Sequence, residues 1–83
     1  MNKYYLMPLY DTRQSFYGKA VVVETENGTE LHSYLTKVAT CKNGEVKLLG
    51  YYSATTSRHQ KEFFKQFDTT GRQFADVMRE VKG

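Results

Sequence analysis

Residues 51–60 read Tyr-Tyr-Ser-Ala-Thr-Thr-Ser-Arg-His-Gln, YYSATTSRHQ, and the chain changes its hydrophobic period across them. Before this stretch the sequence is rich in Val, Tyr, Leu and Thr with turn signals at short intervals, the mark of strands; after it, apolar residues recur at helical spacing. Ser57 and Gln60 have the spacing of a capping box. In that motif the Ser hydroxyl accepts from an orphan amide of the first helical turn and the Gln reaches back to another. The spacing predicts a helix starting near Ser57. Phe63, Phe64 and Phe67 then share one side of it and need an apolar surface to lie on.

Working back towards the N-terminus, strands are predicted over Lys3–Met7, Phe16–Glu24, about Thr29–Cys41 and Glu45–Tyr52. Asn27-Gly28 and Asn43-Gly44 carry the residues that tolerate the positive φ of a tight hairpin, so consecutive strands pair antiparallel. The long third strand calls for a bend or bulge near Leu35-Thr36. Towards the C-terminus, Asp68-Thr69-Thr70-Gly71 breaks the helix and Thr70 to Gln73 repeats the box spacing. Phe74, Met78 and Val81 form a second stripe, with Ala75 and Val77 beside it. The expected fold is α+β, a single domain over residues 1–83. A four-stranded antiparallel meander precedes one broken or two short C-terminal helices packed on one face, leaving the other face open.

The chain has 83 residues, 40% of them hydrophobic and 25% charged, which suits one folded domain and is too apolar for a disordered one. Cys41 is the only cysteine, so no internal disulfide forms and a reducing, cytoplasmic setting is expected. The longest aliphatic run, Ala20 to Val23, is far short of the roughly 20 residues that cross a bilayer, and Tyr4, Tyr5 and Pro8 interrupt any signal-peptide core after Lys3. No membrane partner is expected. A net charge of +3 argues against acidic mimicry of nucleic acid and does not by itself imply strong nucleic-acid binding. Cys41 and His32 lie too far apart along one predicted strand to act as nucleophile and base, and no spacing of His, Cys and carboxylates suits a metal. No catalytic residue, metal or cofactor is expected.

Two constellations remain. Ser53, Thr55, Thr56, Arg58 and His59 gather hydroxyls and positive charge at a helix N-terminus, where free amides favour phosphate or carboxylate. The same residues also suit a strand end followed by an N-cap, and no Gly-rich phosphate loop accompanies them. The second constellation is the open sheet face. There are seven tyrosines and no tryptophan, and Tyr17, Lys19, Tyr34, Lys47 and Tyr51 are the candidate partner-binding residues. Tyr interleaved with Lys on a sheet can stack bases and neutralise phosphates, or it can serve a protein partner, to which Tyr offers apolar area and a polar tip. Tyrosine is also simply a good strand residue.

The pattern Leu31-x-Ser33-Tyr34-x-Thr36-x-Val38-Ala39, followed by Tyr52-Ser53-x-Thr55-Thr56-x-Arg58-His59-x-x-Glu62-Phe63-x-x-Gln66, resembles a family of small uncharacterised proteins of phages, plasmids and integrative elements of Gram-positive bacteria. The resemblance spans about half the chain and carries no catalytic or binding residue with it. It implies an accessory product of a mobile element, a setting in which small proteins often bind and disable a host machine, anti-CRISPR proteins among them. The expected function is therefore stoichiometric binding to a host protein or ribonucleoprotein complex. The alternative is a nucleic-acid-binding module using the Tyr and Lys face. An exposed edge strand also leaves pairing with a second copy, a homodimer, open.

Overall fold

A computed structural model describes residues 2–11 and 18–83. Its elements are β1 (Asn2–Tyr5), β2 (Ala20–Thr25), β3 (Gly28–Ser33), β4 (Thr36–Lys42), β5 (Glu45–Leu48), α1 (Ala54–Phe67) and α2 (Phe74–Lys82). The strands form one antiparallel sheet in sequence order. An α+β meander followed by two helices on one face is the predicted architecture, with five strands where four were expected.

The additional strand comes from the long third one. It folds back at Tyr34 and Leu35, whose φ angles of 51° and 71° make a two-residue turn with both central residues left-handed. Ser33 and Thr36 close that hairpin. Asn43 and Gly44 form the other left-handed turn, as their residue types predict. The first hairpin is shifted by one residue: Glu26 and Asn27 make the turn, and Thr25 pairs with Gly28. Gly28 is required for a different reason, since a Cβ there would collide with the Cys41 carbonyl oxygen. Other boundaries also move. β1 starts one residue early and stops at Tyr5, β5 stops at Leu48, and Phe16 and Tyr17 lie outside the described residues.

Strand alternation sends Ala20, Val22, Leu31, Ala39, Val46 and Leu48 to one face, where all are buried. The pairing of β3 with β4 shifts between Leu31 and His32, so Val38 is an extra residue opposite them. That bulge turns Val38 inward beside Ala39, and both are sealed. Phe63 and Phe64 of α1 lie in this core, with Phe67, Phe74 and Val81 packed against it. The rings of Phe63 and Phe67 stack at 4.7 Å, and Phe64 meets Phe74 edge-on at 5.8 Å. Each fully buried ring contributes about 1.5–3 kcal/mol.

Helix α1 begins a turn earlier than Ser57. Ser53 is its N-cap, accepting the Thr56 amide at 3.1 Å, whereas the Ser57 hydroxyl is buried without a partner. Both serines satisfy the residue preference for a cap; the backbone turns helical at Ala54 and decides between them. The second box does not form either. Gln73 caps α2 without a side-chain bond, and the Thr70 hydroxyl instead donates to Asp68 and accepts from Arg72. Among the described residues no helix is long and apolar enough to cross a membrane.

Candidate interaction surface

The buried side of α1 is apolar only in its second half. Ahead of Phe63 it presents Thr56, His59, Gln60 and Glu62, all nearly sealed from solvent. Each is tied to another part of the chain. Ser33 Oγ lies 3.1 Å from Thr56 Oγ1 and 2.8 Å from His59 Nδ1. Gln60 Nε2 donates to the carbonyls of Val38 and Gly50 at 2.9 and 3.0 Å. The Glu62 carboxylate accepts the amides of Leu9 and Tyr10 and a 2.6 Å bond from Gln66 Nε2.

These bonds place the anion-site candidates. Thr56 and His59 point into the protein and Ser53 is occupied as a cap, while Thr55 and Arg58 are half-buried on the outer part of the first turns. The five residues do not converge on one surface pocket. Ser33 and His59 touch as a hydroxyl and a base would, but they are 2% and 0% exposed, so no substrate reaches them. Cys41 sits on the core side of β4 and burial pushes its thiol up. His32 belongs to the opposite face, paired across from Lys37, which separates the two. Among the described residues no group of three or more His, Cys, Asp or Glu is placed to hold a metal.

The open face is differently built. Lys3, Tyr5, Val21, Val23, Glu30, His32, Lys37, Thr40, Lys42, Glu45 and Lys47 alternate onto it from the five strands. Lys47 is exposed there, as predicted. Lys19 precedes β2 and meets the hairpin tip directly, its carbonyl accepting the Tyr34 amide at 3.0 Å. Lys19 and Tyr34 share a shallow groove floored by Val21 and Val23 and bordered by His32 and Leu35. The Tyr34 ring leans over the edge towards His59, 5.9 Å between centroids. Tyr51 is not part of this face. β5 ends before it, and its ring lies 4.6 Å from the Lys82 ammonium at the end of α2. Tyr17 lies outside the described residues.

Leu35 is the residue the sequence did not single out. It is 96% exposed, more than any other large apolar side chain among those described. With Tyr34 it occupies a backbone region that disfavours side chains by roughly 1–2 kcal/mol per residue, where Asn and Gly are the ordinary choice. The one legible signal was length, because an unbroken strand from Thr29 to Cys41 would be about twice the usual size.

Charge on the face is lopsided. Five lysines, at positions 3, 19, 37, 42 and 47, stand with two carboxylates, Glu30 and Glu45. Glu30 is already engaged: His32 Nε2 lies 3.0 Å and Lys37 Nζ 3.7 Å from its oxygens. The His32 hydrogen bond first, helped by Lys37, holds the Glu30 carboxyl below its ordinary range.

The chain belongs to DUF8033, a family of unknown function whose model matches residues 4–78. No curated protein and no solved structure matches it.

Proposed function

We propose that the protein acts in the cytoplasm without catalysis, by stoichiometric binding to a host protein or ribonucleoprotein complex through the open sheet face and the Tyr34-Leu35 hairpin. The observation that carries this reading is Leu35, a bare leucine on a left-handed backbone position. Solvent exposure and conformation both disfavour that residue in the isolated chain, and strain of this kind concentrates where a surface is used. The resemblance to mobile-element proteins supports a target in the host and an anti-defence role such as inhibition of a CRISPR effector.

The experiment is affinity capture from host cells with the wild-type chain and with Leu35→Asn, which suits the same backbone. A stoichiometric complex that forms with the first and is lost with the second, at equal or higher thermal stability, supports the reading. Capture indifferent to Leu35 rejects it. The lysines of this face favour one second reading, a nucleic-acid-binding module, in which a labelled single-stranded oligonucleotide binds at low salt and is released steeply as salt rises.

A further inference from the structure

Resting on that reading, we propose that the partner element is an acidic amphipathic protein segment. Its apolar stripe packs on Leu35 and the Val21-Val23 floor, and its carboxylates reach Lys19 and Lys37. Three features of the face select this chemistry. The groove floor is aliphatic and ends at the exposed Leu35, so a ridge of apolar side chains has both a floor and a wall to rest on. Lys19 borders the groove beside the hairpin and Lys37 follows the hairpin on β4, 48% exposed. Glu30 is held by His32 and Lys37 and Glu45 lies 3.9 Å from Arg72, so five lysines against two carboxylates leave the face net positive towards whatever approaches.

The same features weigh against other occupants. A second copy seated face to face would oppose lysine to lysine across the interface. A nucleic-acid strand would meet the lysines but find Val21 and Val23 along the groove; the Tyr34 ring is turned towards His59, which leaves Tyr5 beside Val21 as a single exposed ring on this face among the described strands, where a stacking platform uses several.

The test uses nitrogen-15-labelled protein and three probes: a helical peptide of about four turns with leucines on one face and glutamates on the other, the same peptide with lysines for glutamates, and an oligothymidine of about 15 nucleotides. The acidic peptide is expected to shift the amides of Val21, Val23, His32 and Leu35. Leu35→Asn is expected to weaken it at least about tenfold, the loss typical of an anchor side chain. Joint Lys19→Glu and Lys37→Glu substitution is expected to weaken it comparably, and added salt to weaken it further. Equal binding of the lysine peptide, indifference to Leu35→Asn, or shifts produced only by oligothymidine would each overturn the proposal. If the peptide fails while host capture still depends on Leu35, the acidic partner is wrong and the binding function stands; if capture also fails, the function itself falls.

Discussion

Asp68 Oδ2 accepts the backbone amide of Val46 at 2.9 Å, and Arg72, bonded to that same oxygen at 2.7 Å, donates to the Val46 carbonyl at 2.9 Å. Val46 lies on β5, at the edge of the sheet, and the peptide groups of such a residue otherwise invite another strand. The linker between the helices therefore closes this edge with two side chains. Burial alone would raise the Asp68 carboxyl, but hydrogen bonds from Thr70, Val46 and Arg72 outweigh it and hold the group well below the usual carboxylate range.

Asp68→Asn is expected to destabilise the fold by roughly 1–3 kcal/mol at neutral pH, the range for hydrogen bonds to a buried charge. A depressed folded pKa adds stability that is complete above the ordinary carboxylate pKa and lost as pH falls from there towards the folded pKa, because the unfolded state takes up the proton first. The gap between wild type and variant should thus be full at pH 7 and shrink below about pH 4. Urea midpoints measured across that range check it; a gap that stays constant to acid pH would show that the charge is not what matters.

Leu35→Gly should stabilise the isolated protein by about 0.5–1 kcal/mol, because relief of the left-handed strain exceeds the added freedom of glycine in the unfolded chain. For a domain of this size that is a rise of several degrees in Tm. Calorimetry showing a lower Tm would mean that Leu35 packs against something in solution.

Ser53 and Ser57 make a matched pair. Ser53→Ala removes the cap that holds the Thr56 amide and should cost about 1 kcal/mol. Ser57→Ala removes a buried hydroxyl that has no partner and should be neutral or mildly stabilising. Helix content and thermal midpoints of the two variants decide the point, and the reverse order would return the cap to Ser57.

Glu62→Gln keeps the shape but sets an NH2 group among donors, since Leu9, Tyr10 and Gln66 all donate to this carboxylate. A loss of about 2–3 kcal/mol is expected for the unmatched buried donors. Amide exchange reads it locally: Leu9 and Tyr10 should lose protection well before the β3 and β4 amides do. Unchanged exchange at both positions would place their restraint elsewhere.

The legible parts of the fold were those where residue type and geometry agree. Asn43-Gly44 suits its turn, and the phenylalanines of both helices carry a period that any apolar sheet face satisfies. Tyr34-Leu35 was only half legible: strand length called for a bend or bulge near Leu35-Thr36, but neither residue of the turn is one that local energetics would choose for a left-handed pair, so the chain read as one bent strand rather than two, and the bulge itself lies at Val38. The cap was displaced by one turn because two serines suited the role. The open face was legible at Lys47 and Lys19, but Tyr51 was assigned to a strand that had already ended. Glu62 and Gln60 could not be read as buried clips from sequence, since their partners are backbone groups far along the chain.

Gln60 joins Val38, the odd residue of the β4 bulge, to Gly50 beyond the end of β5. Phenylalanine rings are greasy and non-directional, and a helix held by them alone could roll or slide along the sheet at little expense. A side-chain amide that finds two carbonyls only above one irregularity permits a single rotational setting, and the neighbouring contacts of Thr56 and His59 with Ser33 enforce the same one. The unusual amount of polarity sealed beneath α1 thus fixes orientation more than it adds strength, and it sets the angle at which the hairpin tip beyond Ser33 stands from the helix.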